Sequence, residues 1–431
     1  MPTDLKRNLT LFTVTNIVIA NMIGAGIFTT SGLLMQDLRN PVIMLCLWFA
    51  GGLLALFGAL SYGRLGTAMP EAGGEYIFLA KLYHPLTGFL SGWVSFIVGF
   101  SAPIAASSIG VSEYLYRTEI FGTLSPFIIK KSIAIGVIIL FTFIHLKGLE
   151  LGARVQNYLT LLKILLLTFL IIFGFAFGKG DFGNLIQGSS YNFNFSGWRQ
   201  LGLSLMWIMF AYSGWNAATY IGSEIKNPLR NLSRSLILGT SIVVLIYVLI
   251  NGLYLYAIPP SEIKGLISVG GLAASHLFGP AFEKILSYMI AFALLSSISA
   301  FIILGPRVYF AMAKNSHFFK FAGEVHPKTH VPSKSILVQG LIACVMVLSG
   351  SFDQILTYMG FSLGIFPILT VAGVFKLKDR GNPLIPMVYI IISIFILVLA
   401  YSERPVESSI AILTVLIGIP AYWYIVKGKS I

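Results

Sequence analysis

Twelve apolar runs, each near the length of a bilayer crossing, decide what this chain can become. A spanning helix needs roughly 20 mainly apolar residues. Runs of that kind lie at about 11–34, 41–63, 86–112, 128–146, 155–178, 198–220, 233–257, 282–312, 335–350, 353–376, 384–401 and 407–426. The ninth and tenth are parted only by Ser349-Gly350-Ser351-Phe352 and can also be drawn as one bent helix. Only 10% of the residues are charged, against about a quarter in soluble globular proteins, and no loop is long enough for a soluble domain. The expected fold is an all-α membrane protein of twelve transmembrane helices. The first run follows Lys6 and Arg7 with no small-residue cleavage pattern at its end, so it reads as a retained helix and not as a removed leader.

A net charge of +13 would suggest nucleic acid in a soluble protein, so where the charge sits matters more than its sum. One alternate set of loops and adjoining span ends, with both termini, carries 19 basic residues and the opposite set 9, and Lys163, deep in the fifth run, is counted with neither. Acidic residues divide 7 to 9, so the asymmetry belongs to the bases. The positive-inside rule then predicts twelve crossings with both termini in the cytoplasm, and no nucleic-acid partner. Cys46 and Cys344 both stand in apolar runs and are expected to be small buried hydrophobes, with no disulfide or metal site. His317, His326 and His330 share one loop, but their spacing without a Cys partner fits no standard metal site, and solvated loop histidines are expected.

Two runs are interrupted by flexible or polar residues, which a membrane tolerates only where they line a cavity or pack inside protein. The first holds Asn21-Met22-Ile23-Gly24-Ala25-Gly26-Ile27-Phe28; the sixth holds Phe210-Ala211-Tyr212-Ser213-Gly214-Trp215-Asn216. Each glycine weakens a helix by about 1 kcal/mol relative to Ala, although a small-residue packing face would look the same. The first and sixth runs each open a set of five. Interruptions at corresponding places in two halves point to the site of an inverted-repeat transporter. An unwound helix frees N–H groups on one half and C=O groups on the other. The N–H end suits a carboxylate and the C=O end an ammonium, so backbone alone can hold a zwitterion.

These motifs carry a resemblance. IGAGIF and FAYSGWNAATYIGSEIKNPLRNLSRSL resemble the L-type amino acid transporters of the amino acid–polyamine–organocation superfamily. SYGRLGTAMPEAGGEYIFL (61–79) is similar to that superfamily's re-entrant stretch, and LGPRVYFAMAKN (304–315) to the end of the eighth span in bacterial members. The resemblance implies a LeuT-like five-plus-five inverted repeat with helices 1 and 6 broken. Residues 1–180 would form the first repeat, 181–380 the second, and 381–431 two additional C-terminal helices. It also implies roles. Gly24, Ala25 and Gly26 match the backbone that takes the substrate carboxylate. Ile23, Phe210 and Ser213 match positions whose carbonyls take the amine. Phe210 further matches an aromatic gate over bound substrate, though a core aromatic would serve as well. Gly214 and Asn216 match pocket positions, and Trp215 is either packing or contact.

Lys163 sits well inside the fifth run. A charge at that depth costs about 2.5–3.5 kcal/mol on insertion scales and usually marks function; snorkelling to an interface is awkward with apolar residues on both sides. In the family the matching lysine points at the broken first helix, in the place of sodium in sodium-coupled relatives, so sodium-independent transport is implied. Ser296, Ser297 and Ser299 of the eighth run are its candidate partners for coupling, and proton coupling stays open. Glu113, Arg117 and His145 lie at span ends and read as interfacial; Glu224 and Arg230 fit an inner gate or plain loop charges.

No acidic residue lies near the middle of any run, so cationic amino acids and polyamines would lack a partner, and small neutral L-amino acids are expected. The resemblance implies exchange of one for another, with proton symport as the alternative. Catalysis is not expected, because the runs lack the clustered His, Asp or Glu that acid/base or metal chemistry needs, and no cofactor is called for. Cytoplasmic ends of about ten residues or fewer argue against a signalling receptor, and paired breaks fit alternating access better than a channel. Residues 113–131 contain no Cys, where disulfide-linked animal relatives bond an accessory chain, so a single-subunit bacterial transporter of the inner membrane is expected.

Overall fold

A computed structural model describes residues 9–71, 73–118, 125–147, 149–188, 190–327, 329, 331–378 and 381–427, with the backbone alone at 149–157 and 427. Lys6, Arg7, Lys328 and His330 lie outside the described residues. Every element of length is helical: α1 (Leu11–Met22), α2 (Ala25–Leu38), α3 (Pro41–Ala68), α4 (Glu75–Leu82), α5 (Pro85–Val94), α6 (Ser101–Tyr116), α7 (Pro126–Leu146), α8 (Leu149–Phe177), α9 (Phe195–Ala211), α10 (Ala217–Tyr220), α11 (Pro228–Ala257), α12 (Pro260–Ile263), α13 (Val269–Phe278), α14 (Pro280–Lys314), α15 (Ser333–Ser349), α16 (Phe352–Ala372), α17 (Leu384–Glu403) and α18 (Pro405–Tyr422). Among the described residues the β-structure is one isolated bridge, Leu9 to Ile225.

Among the described residues ten spans are long and apolar enough to cross a membrane. The other two predicted runs fall on α15, which is 17 residues long, and on α9, which is 17 residues long and stops at the sixth-run interruption. The ninth and tenth runs are separate helices. Gly350 closes α15 in extended backbone, and Ser351 opens α16 with a capping box to Gln354. Proline explains several sharp starts, because its fixed φ and missing N–H suit a first helical turn; Pro41, Pro126, Pro228, Pro280 and Pro405 all sit there.

Which face of a span turns inward follows the 3.6-residue period. On α8, Leu159, Lys163, Leu166, Leu167 and Leu170 are buried, while Leu161, Leu165 and Phe169 are exposed on the opposite side. Lys163 thus lies on the inward stripe with apolar neighbours a turn away on either side. Cys46 departs from expectation, being exposed on α3, and Cys344 is half-buried. An apolar neighbourhood in sequence does not separate a core position from a lipid-facing one, since both demand apolar residues. At the centre, Trp48 of α3, Tyr212 and Tyr247 of α11 form an aromatic cluster with ring centroids 4.9–5.8 Å apart.

Candidate functional site

Both interruptions are true breaks, and they pack against each other. α1 ends at Met22, Ile23 and Gly24 leave helical geometry, and α2 begins at Ala25. Gly24 stands at the head of α2 with no side-chain cap, so the first N–H groups of α2 have no intrahelical acceptor. On the other side α9 stops at Ala211, and four residues of irregular turn lead to Asn216 and the short α10. Gly214 takes φ +99°, and a Cβ there would lie 2.8 Å from the Asn21 backbone. Only glycine adopts that conformation without strain, so the sixth-run break is moulded onto the first.

The carbonyls freed at the break are largely taken up by protein. Lys163 Nζ donates to Ala20 O at 3.2 Å, to Ile23 O and to Ser297 Oγ at 3.3 Å, and Ser297 Oγ donates to Ile23 O at 3.2 Å. All three ammonium protons are therefore used, and Lys163 is fully buried. Of the three candidate serines, Ser297 is the one that reaches Lys163. Ser299 Oγ pairs instead with His145 Nε2 at 3.0 Å, and Ser296 Oγ is buried without a partner among the described residues. Tyr247 OH shares its proton between Met22 O at 2.6 Å and Ala211 O at 3.1 Å, tying the two broken helices together.

A cavity of about 120 Å³ opens beside the sixth-run break, below the roughly 300–1,000 Å³ of pockets for drug-sized ligands. Phe210, Ser213, Gly214 and Asn216 line it, with Trp215 and Asn21. Ile23, Gly24, Ala25 and Gly26 do not. Ile23 gives its carbonyl to Lys163 and Ser297. Gly26 packs so close to α9 that a Cβ would lie 2.6 Å from Ala211 Cα. A Cβ on Gly24 would meet nothing nearer than Ser297 Oγ at 3.8 Å. Accordingly Gly26→Ala is expected to lower the yield of folded, monodisperse protein severalfold, while Gly24→Ala folds normally and reports only on substrate; comparing size-exclusion profiles and uptake of the two checks this. Equal loss of folding in both would refute the division.

One wall of the cavity comes from a residue that the sequence pattern does not single out. Glu75, at the head of α4 and outside the ten apolar spans, is buried and lines the cavity. Its Oε1 accepts from Tyr62 OH at 2.8 Å and Asn216 Nδ2 at 2.9 Å, and its Oε2 from Ser91 Oγ at 3.5 Å. Burial raises its carboxyl to about 6, with the three hydrogen bonds pulling the other way, so it is mainly an acceptor-only carboxylate at neutral pH. The wall also includes Ser95 and Gly99 of a π-helical turn, Ser95–Gly99, that continues α5, a distortion often found at functional sites. The middles of the spans are thus free of acid as expected, but the cavity is not.

At the span ends, Arg117 pairs with Glu283 at 2.6 Å and Lys130 with Glu113 at 2.7 Å. His317 bonds Tyr76 OH at 2.8 Å, and His326 bonds Thr329. Glu224 contributes its backbone carbonyl to Leu9 N.

A family model described as amino acid permease matches residues 9–422. The chain belongs to that family. Its relatives include the mouse b(0,+)-type amino acid transporter 1, 27% identical over 99% of this chain and 89% of the relative. The human cystine/glutamate transporter is 27% identical over 99% and 87%, and the serine/threonine exchanger SteT of Bacillus subtilis (strain 168) 29% over 99% and 98%. The resemblance seen in the motifs thus extends over the whole chain. This amino acid permease is a multi-pass membrane transporter of amino acids, not an enzyme.

Proposed function

We propose that this permease exchanges small neutral L-amino acids across the cytoplasmic (inner) membrane by alternating access, without sodium. The observation that carries the reading is the packed pair of breaks, with N–H groups at the head of α2 that lack an intrahelical acceptor and a small cavity walled by the sixth-run break. The N–H end supplies a seat for a carboxylate, and the cavity's modest size favours a short side chain. Phe210, on the cavity wall, is the gate in this reading. Lys163 holds carbonyls of the first break where a coupling cation would otherwise bind, which supports independence from sodium. The serine/threonine exchanger among the relatives favours exchange over one-way transport. The architecture proposed is two inverted five-helix repeats, 1–180 and 181–380, followed by two further helices in 381–431. Twelve crossings then leave both termini in the cytoplasm, and the permease works without a disulfide-linked accessory chain. Proton symport is the second reading, because Lys163 is an ionisable group at the break itself.

The test is uptake of radiolabelled alanine or serine into proteoliposomes without sodium, with and without unlabelled amino acid inside. Stimulation of uptake severalfold by internal amino acid, with no need for a pH gradient, is the expected result. Uptake into empty vesicles driven by an inward proton gradient would replace exchange with symport, and no uptake of any neutral amino acid would sink the substrate assignment.

A further inference from the structure

We propose that Glu75 and Asn21 form an acceptor subsite in the cavity that selects amino acids whose side chain donates a hydrogen bond. This rests on the transport reading above and refines it: within small neutral substrates, a short hydroxyl side chain is preferred to an apolar one of equal size.

Two independent observations point to the same chemistry. The first is Glu75. Its Oε1 already receives two donors, but its Oε2 meets only Ser91 Oγ, at the outer limit of 3.5 Å. Among the described residues no basic side chain forms an ion pair with it. The second is Asn21, which is 6% exposed and lines the same cavity. Its Nδ2 donates to Ile17 O at 2.8 Å. That bond fixes which end of the amide is oxygen, and Oδ1 has no partner among the described residues. Buried polar atoms in folded proteins are nearly always paired. Asn21 thus brings to the cavity wall a buried acceptor with no donor of its own, which a donor carried by the substrate would satisfy.

The sixth-run break brings the two together. Gly214 lies against the Asn21 backbone and Asn216, two residues on, donates to Glu75. Asn216 Nδ2 is committed to Glu75 and Tyr220. Phe210, Met206, Met209, Ile396 and Leu397 make much of the remaining wall. A substrate whose side chain reaches this end thus meets the two acceptors between apolar residues and the hydroxyl-bearing Ser95, Ser213 and Tyr220. A site built to bond a substrate hydroxyl discriminates strongly against the analogue lacking it, because its own buried groups are then left unpaired.

The decisive comparison is threonine against valine, which share shape and differ in the hydroxyl. In proteoliposomes taking up labelled alanine, unlabelled threonine is expected to inhibit at a concentration at least about tenfold lower than valine. In Glu75→Gln and Asn21→Leu proteins the two should inhibit within about threefold of each other. Equal inhibition by threonine and valine in the wild-type protein overturns the subsite without needing any variant to fold, and would mean that water satisfies both acceptors. A preference that survives both substitutions overturns it too. A parallel arm sets 2,4-diaminobutyrate against norvaline. Inhibition by diaminobutyrate alone, lost in Glu75→Gln, would keep the subsite but place an ammonium there, overturning the neutral-substrate reading. Absence of uptake of every amino acid by the wild-type protein would instead reject the transport reading itself.

Discussion

Replacing Lys163 with methionine is expected to cut amino acid uptake at least tenfold while leaving a folded, monodisperse protein. Two effects on stability oppose each other. Removing a charge from the middle of a span relieves a cost of about 2.5–3.5 kcal/mol. Against this, the Ala20 carbonyl loses its lysine donor, and an orphaned buried acceptor costs about 1–3 kcal/mol. Ile23 O keeps the Ser297 hydroxyl, so it is not stranded. The melting temperature should therefore move little. Uptake should not be spared, because the ammonium is what draws Ala20, Ile23 and Ser297 to one point and holds the first break open ahead of α2. Ser297→Ala should lower uptake less, about two- to fivefold, because the Lys163 ammonium still holds Ala20 O and Ile23 O once the hydroxyl is gone. Ser299→Ala, which loosens only the contact to His145, should leave uptake near wild type. The check is uptake in proteoliposomes normalised to folded protein. Lys163→Met uptake within twofold of wild type would show that the ammonium is dispensable to transport.

The contrast between these serines shows what is legible in the chain and what is not. That Lys163 turns inward follows from period alone, since Leu159, Leu166, Leu167 and Leu170 share its stripe. Which serine meets it does not, because Ser296, Ser297 and Ser299 point in different directions from one helix and only the placement of α14 against α8 selects among them. The breaks are legible because glycine beside polar residues inside an apolar run is tolerated only at a cavity or in packed protein. The partners of the freed carbonyls are not. The family resemblance implies Ile23 O for a substrate amine, and nothing in the residue pattern shows that Lys163 and Ser297, 140 and 274 residues away, donate to it. Glu75 is hidden for a related reason. It stands in a segment between spans, and only the fold returns α4 to the cavity. Its signal is Gly73-Gly74-Glu75, a carboxylate ahead of the apolar Tyr76-Ile77-Phe78-Leu79, which is an unusual composition for a solvated loop.

Tyr247→Phe is expected to reduce melting temperature and uptake together, and uptake per folded molecule more than any other single hydroxyl deletion in the core. The side chain is fully buried within the aromatic cluster of Trp48 and Tyr212, so phenylalanine fits its space and the change is confined to one oxygen. That hydroxyl bonds Met22 O at the end of α1 and Ala211 O at the end of α9. Both carbonyls lie where helices stop, with no intrahelical N–H to replace it. Leaving them buried and unpaired costs about 1–3 kcal/mol for each group, and the loss falls on a side chain that bonds to both breaks. Tyr114→Phe is the matched comparison. It also removes a buried hydroxyl with two partners, Phe28 O at 2.7 Å and Gly270 N at 3.1 Å, but these lie in α2, a turn past the first break, and in α13, so that hydroxyl does not join the two breaks. Similar destabilisation of the two variants, with uptake per folded molecule reduced at least fivefold only in Tyr247→Phe, is the expected pattern. If uptake falls equally in both, the hydroxyl of Tyr247 serves general packing, and the breaks do not depend on each other through it.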